Sequence, residues 1–459
     1  MRVFLLLSLT LVPLLLWADT RALDAAFLEE LSHYTPNEKE AVVQGMLYKR
    51  NLDEAALNPD VLLRHNKYFT HEIKTGRITN QDYSGRCWLF AALNMLRPHV
   101  IRVIHDEEFE FSQNYLFFYD KLEKSNTFLE LVIARADLDI RDPKFQFILS
   151  LPWDGPIQDG GYWEYAVTLI GKYGAVPYDS MPDSESALKP DAMNSQLTHA
   201  LMLAAYAMKR DFEANKDRDR MREMKKKTMK DIYKMLVLHL GKPPVEFEFI
   251  YKDSVSDSVK YEKHSPRSFA KKYVTTVMDD FVPFTYYPSR PFNTLFEGEN
   301  SNYLIEGAPI RFVNADMKDI KEMVLKSVLA DQPVDFSANV DYQMDSTSGV
   351  MHHELYRYDR LYGFPVNGSN IEKGLMGLID SNHDMVIMGV DVQNGKIVKW
   401  KVENSWGADY GDGGMYFMYD GWFERFADGF IIHKKFVKPE LLKVLLQKPT
   451  VIPEDQPWR

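Results

Sequence analysis

Apolar residues are spaced in two ways along this chain, and the spacing changes near residue 330. Residues 23–80 read as mainly helical and polar, ending in a loop at Gly76–Asp82. From Cys87 the run Trp88, Leu89, Phe90, Leu93 and Leu96 predicts a buried helix that stops at Arg97–Pro98. A second helix is predicted over 209–240, where Met221, Met224, Thr228, Ile232, Met235, Leu236 and His239 form one stripe. Gly241 followed by Lys242-Pro243-Pro244 ends it. Beyond residue 330 the texture becomes that of strands, at 332–337, Asp384–Val392, Ile397–Val402 and Met415–Met418, separated by Gly and Asn/Asp turns. Asn394-Gly395 is the expected hairpin turn between two of them. A helical first part and a β-rich last part predict an α+β chain. No repeat or low-complexity tract interrupts it.

Composition narrows the class. At 459 residues, 45% hydrophobic and 26% charged, the chain is long enough for two or three ordinary domains with a large core. Its formal net charge of −11 argues against nucleic-acid binding by the whole molecule. The exception is the segment from Lys209 to Lys234, with 11 basic and 6 acidic residues, which reads first as a solvated helix face and second as a channel-lining or polyanion-binding surface. With a single cysteine, no intramolecular disulfide and no cysteine-based zinc site can form. The nearest approach to a metal motif is His352-His353, whose neighbouring side chains are expected to point apart, so no metal or other cofactor is expected. Arg2 followed by the apolar run Val3–Trp17 and small residues at Ala18 and Ala22 reads as a secretory signal over 1–22. The run is short for a spanning helix, and no second one follows, so the mature chain is expected to be exported, periplasmic or secreted, without a transmembrane segment.

Two separated stretches carry nucleophile chemistry. In Gln81-Asp82-Tyr83-Ser84-Gly85-Arg86-Cys87-Trp88, a Gly-containing loop becomes an apolar helix at the cysteine. A helix N-terminus favours a thiolate, so the Cys87 sulfur is expected to be exposed and activated. Gln81 is placed to lend a side-chain N–H to a developing oxyanion, beside the backbone N–H of Cys87. His383 stands just before an apolar strand, and the predicted hairpin returns the chain to it at Glu403-Asn404-Ser405-Trp406-Gly407. Asn404 could then orient the imidazole, with Trp406 covering their hydrogen bond. The pair Gly160-Gly161, before Tyr162-Trp163, would let a peptide backbone approach closely. Taken singly, a buried structural cysteine, a core histidine and a plain glycine turn would each explain these residues.

Taken in order, Gln, Cys-Trp, Gly-Gly, His and Asn-Ser-Trp-Gly resemble the papain superfamily. The His383 position, 296 residues after Cys87 (383 − 87), is about twice the ~130–150 of its simpler members. Ser84-Gly85-Arg86-Cys87-Trp88-Leu89-Phe90-Ala91-Ala92, Lys172–Pro177, Leu238–Pro244 and Trp400–Gly407 are similar to the bleomycin hydrolase/aminopeptidase C branch. This resemblance implies a papain-like two-lobed fold with a large hook insertion, assembled as a homo-hexamer around an inner chamber. It implies Cys87 as nucleophile, His383 as base, Asn404 as orienter and Gln81 as oxyanion donor, acting on peptide substrates. Trp88, Gly160, Gly161, Asp384 and Trp406 are the expected substrate-side positions. The implied organisation is a signal at 1–22, a helical lobe with the nucleophile at 23–205, a helical hook insertion at 206–330, a β-rich lobe with His and Asn at 331–435, and a tail toward the cleft at 436–459.

The chain differs from that branch in particulars. Asp384 stands after the histidine where relatives usually have Ala, and its carboxylate is expected to favour imidazolium. The end, Glu454-Asp455-Gln456-Pro457-Trp458-Arg459, lacks the small residues with which relatives hold a substrate's amine, and falls a few residues short. Aminopeptidase action is the expectation. Oligopeptidase or endopeptidase action is the alternative, and a non-catalytic polyanion-binding scaffold is the competing class.

Overall fold

The computed structural model describes residues 22–453, apart from 151–154, 275–277, 279, 303, 367, 369 and 377–380, together with residue 456. The expected signal, up to residue 21, and the last residues of the tail lie outside the described residues. Two compact units are present. The smaller takes the described residues up to Leu57 and Arg357–Val366. It holds α1 (Ala25–Ser32), α2 (Glu38–Leu47) and α3 (Leu52–Ala56), each opened by an Asp or Asn side chain that accepts a backbone N–H of the first turn. Within this unit Tyr358 donates to Asp53 at 2.6 Å.

The larger unit, Asn58–Tyr356 with the described residues from 368 on, has two main cores and a small third cluster of Val61, Val350 and Leu355. After α4 (Pro59–Arg64) and the short β1 (His71–Glu72), the first core is built from α5 (Cys87–Ile104), α6 (Gln113–Ala134), α7 (Pro143–Ser150), α8 (Trp163–Tyr173), α9 (Glu185–Leu188), α10 (Asp191–Asn215) and α11 (Arg218–Leu240). Helix α5 does not stop at Pro98. It continues to Ile104 because Val100, Ile101 and Ile104 bury themselves against the same core, and it ends where His105 turns left-handed at φ 56°. The helix expected over 209–240 is likewise two helices. Lys216, at φ 54°, closes α10, and Asp217 caps α11 through the N–H groups of Asp219 and Arg220.

The stretch 206–330, expected as a helical insertion, goes on to a separate hairpin of β2 (Phe247–Asp253) and β3 (Ser258–His264), then α12 (Pro266–Tyr273). After that come β4 (Phe281–Thr285), β5 (Thr294–Gly298), β6 (Arg311–Asn314) and α13 (Met317–Leu329). Those strands join a twelve-stranded sheet with β1, β7 (Val334–Ala338), β8 (Met344–Asp345), β9 (Val350–Met351), β10 (His383–Gln393), β11 (Lys396–Glu403), β12 (Met415–Tyr419), β13 (Ala427–His433) and β14 (Thr450–Ile452). The expected strands are found within a residue or two. Asn394 and Gly395 turn between β10 and β11 with φ 51° and 73°, as a two-residue hairpin requires.

Alternation along the central strands divides the two cores. Val334, Phe336 and Ala338 of β7 and Met385 and Ile387 of β10 face the second core, with α13. Val386 and Met388 face the first, against α5. The fold is α+β, and α5 begins on the sheet face that carries the odd residues of β7 and the even residues of β10. Among the described residues no helix is long and apolar enough to cross a membrane.

Candidate active site

Cys87 is the first residue of α5, so its backbone N–H has no acceptor within the helix. The loop before it is tied down residue by residue. Arg86, fully buried, donates to Ser84 Oγ at 2.8 Å and to Asp183 at 2.7 Å, and lies over the rings of Phe90 and Phe117. Ser84 Oγ in turn donates to the Gln81 carbonyl at 2.6 Å. Gln81, buried, uses one side-chain N–H on the Ser84 carbonyl at 2.6 Å, while its oxygen accepts from Ser405 Oγ at 2.6 Å. A carboxamide has two N–H groups, so one is left for an incoming oxyanion.

His383 opens β10 and Asn404 follows the last residue of β11, the hairpin partner strand. His383 Nε2 lies 2.7 Å from Asn404 Oδ1, which also accepts the Ser405 N–H at 2.8 Å. A carbonyl oxygen cannot donate, so Nε2 carries the hydrogen and Nδ1 presents its lone pair. The Trp406 ring covers this contact, with its centroid 4.7 Å from that of the imidazole.

Helix α5 packs on β7 and β10, and the backbone N–H groups of Asp384 and Trp88 both reach the Cys87 sulfur. Across 296 residues of sequence (383 − 87), the sulfur therefore meets the residue next to His383. The thiol is not the open, activated group expected from its helix position: Cys87 is half-buried. Burial first, then the Asp384 carboxylate, pushes its pKa up to about 12, despite the two N–H groups and with Asp335 adding to the rise. Burial lowers His383 to about 4, opposed by the Asn404 hydrogen bond. Both shifts favour the uncharged forms of the two groups. The Asp384 carboxylate acts on the sulfur and bonds Ser337; it does not hold the imidazole protonated, as the sequence led us to expect.

The Trp88 indole N–H donates to the Asp159 carbonyl at 2.8 Å. A Cβ on Gly161 would lie 2.5 Å from that indole, so Gly161 is small to let the 159–161 segment lie on Trp88. A Cβ on Gly160 would meet only the Gln158 side chain, at 3.3 Å. The segment rests on buried cations that sequence reasoning did not single out. Lys121 donates to Asp159 at 2.6 Å and Lys124 to the Gly160 carbonyl at 2.7 Å, while Asp159 accepts the Gly85 N–H at 3.1 Å and so ties the segment to the nucleophile loop. Burial opposes ionisation of Asp159, but Lys121 and these hydrogen bonds hold it below the usual carboxylate range. The signal was the grouping of Asp120, Lys121 and Lys124 within helix α6.

His352 and His353 do not point apart. They follow β9 in a turn, and their rings stack 4.7 Å apart.

The model of the Peptidase C1-like family matches residues 22–458. The chain is 32% identical over 434 residues to the Aminopeptidase C of Listeria monocytogenes, covering 94% of this chain and 96% of that protein. It is 32% identical over 440 residues to the Aminopeptidase W of Lactobacillus delbrueckii subsp. lactis, covering 96% and 99%. The crystal structure of PepW from Lactobacillus rhamnosis HN001 superposes with a TM-score of 0.88 at 32% identity, covering 94% of this chain and 97% of that one.

Proposed function

The chain belongs to the Peptidase C1-like family, and from that premise we propose that it is a papain-like cysteine aminopeptidase in which Cys87, His383, Asn404 and Gln81 do the chemistry. One observation carries the assignment of residues: the sulfur of Cys87 sits on the amide of Asp384, beside a histidine whose Nε2 is committed to Asn404. In this reading Nδ1 of His383 takes the thiol proton as sulfur attacks the scissile carbonyl. The oxyanion then draws on the free Gln81 N–H and the Cys87 backbone N–H. The imidazolium returns its proton to the leaving amine, and His383 next activates the water that hydrolyses the thioester.

Peptides with a free N-terminus are the substrates, in keeping with the names of the relatives. The apolar run at Val3–Trp17 supports an exported enzyme, and the resemblance to the bleomycin hydrolase branch supports a hexamer. The test is a fluorogenic aminoacyl amide, offered free and N-acetylated. Turnover of the free form alone, abolished by Cys87→Ser and by iodoacetamide, is expected. Equal turnover of both forms would make the enzyme an endopeptidase or oligopeptidase, and full activity of Cys87→Ser would end the assignment.

A further inference from the structure

Three carboxylates converge on the sheet face where α5 begins, and none of them is needed by the mechanism above. Asp384 lies opposite Ser337 across the β10–β7 ladder, and Asp335 is two residues from Ser337 on the same face of β7. On the other side of β7, the ladder to β13 slips by one residue between Ala427 and Gly429, so Asp428 is the extra residue of a β-bulge. Bulges re-aim side chains. This one brings the Asp428 carboxylate within electrostatic reach of Asp384.

Four other buried carboxylates face a buried cation: Asp120 with Lys124, Asp159 with Lys121, Asp183 with Arg86, Glu403 with Arg97. These three have none among the described residues. Asp335 and Asp428 are each 5% exposed, and only serines answer the carboxylates directly: Ser337 to Asp384 and Ser381 to one oxygen of Asp428. The other oxygen, Oδ2 of Asp428, is buried without a partner. A lone buried carboxylate oxygen is expensive unless something positive meets it. Burial shows the same imbalance, holding Asp384 up to about 6 against the Ser337 hydrogen bond and Asp428 up to about 7 against that of Ser381, with Asp384 adding to the rise of Asp428. Among the described residues no three His, Cys, Asp or Glu side chains are grouped to hold a metal ion, these included. Half-buried Asp384, whose amide touches the sulfur, is the side open to a ligand.

We propose that Asp384, Asp428 and Asp335 form an anionic subsite beside Cys87 that takes an organic cation of the substrate, an ammonium or a guanidinium. The inference rests on the peptidase reading and adds the group that the enzyme recognises. A cation there would also offset the carboxylates that keep the thiol protonated, so a fitting substrate brings part of the nucleophile's activation with it.

The test compares kcat/KM ratios in wild type, Asp384→Asn, Asp428→Asn and the charge-retaining Asp428→Glu. One arm offers peptidyl amides with arginine against its uncharged isostere citrulline; the other offers a leucyl amide with its amine free against N-acetylated. Wild type is expected to prefer the cation in one arm, which identifies its source as side chain or α-amine. Each Asn variant should lose that preference by about 30-fold or more, the scale of removing one partner from a buried charge pair, while Asp428→Glu keeps it. Ratios unchanged in folded Asn variants overturn the subsite and leave the aminopeptidase reading standing; a wild type indifferent in both arms overturns the subsite and the amine specificity together, leaving a cysteine peptidase. No turnover of any substrate by wild type overturns the peptidase reading as well.

Discussion

At the scale of single residues, the site is a set of hydrogen-bonding commitments that leave one atom of each catalytic group free. Gln81 spends one N–H on Ser84 and keeps the other. Replacing it with Ala should lower kcat by about 10²–10³-fold with little change in KM, since an oxyanion donor acts on the transition state; steady-state kinetics at saturating substrate reads this directly. The protonated thiol makes a second prediction. In Asp384→Asn, the pH dependence of Cys87 alkylation by iodoacetamide should move to lower pH, because the carboxylate that opposes the thiolate is gone. Asp428 makes a third, for stability. Its folded pKa is raised to about 7 from 3.8, so the native state binds the proton more tightly than the unfolded chain does. Its contribution is complete below pH 3.8 and is lost as pH rises through 7. Asp428→Asn should therefore raise Tm at pH 8 and have little effect at pH 4, by calorimetry at both values.

At the scale of elements, α5 and the β10–β11 hairpin are one machine part held together by a buried pair. Arg97 on α5 and Glu403 on β11 are both fully buried and meet at 2.6 Å, and Arg97 also holds the Arg77 carbonyl at 2.6 Å. Arg97→Met should cost about 3–5 kcal/mol by stranding Glu403, and the double variant with Glu403→Leu should recover much of it, as read in denaturant midpoints. The hairpin was legible in the sequence because alternation and Asn394-Gly395 are local signals, and so was the start of α5 at Cys87. The end of α5 was not. Pro98 disfavours continuation, and only tertiary burial of Val100, Ile101 and Ile104 outweighs it. Nor was the acidic cluster. Val334-Asp335-Phe336-Ser337 alternates as a half-solvated strand would, yet its polar side faces α5. The bulge at Asp428 is visible only once two distant strands are in register.

At the scale of the whole molecule, charge pairing bears on the alternative of a polyanion-binding scaffold. Of the 11 basic residues from Lys209 to Lys234, Lys209, Arg218, Arg220, Arg222, Lys225 and Lys226 form ion pairs within the chain. Less than the full basic complement is thus open to a partner, in a protein of net charge −11. Single-stranded DNA at 0.15 M salt should produce no shift in electrophoretic mobility. A shift removed by reversing Lys227 and Lys230 to Glu would restore the scaffold reading.

The half-sunken sulfur also sets how the molecule ages. Peroxide attacks thiolates, and a sulfenic acid formed at Cys87 would find no second thiol in this chain to resolve it. With burial favouring the protonated thiol, the enzyme should tolerate oxidants while idle and become vulnerable while working. Outside a reducing compartment its useful lifetime would then be counted in turnovers and set by the small thiols around it.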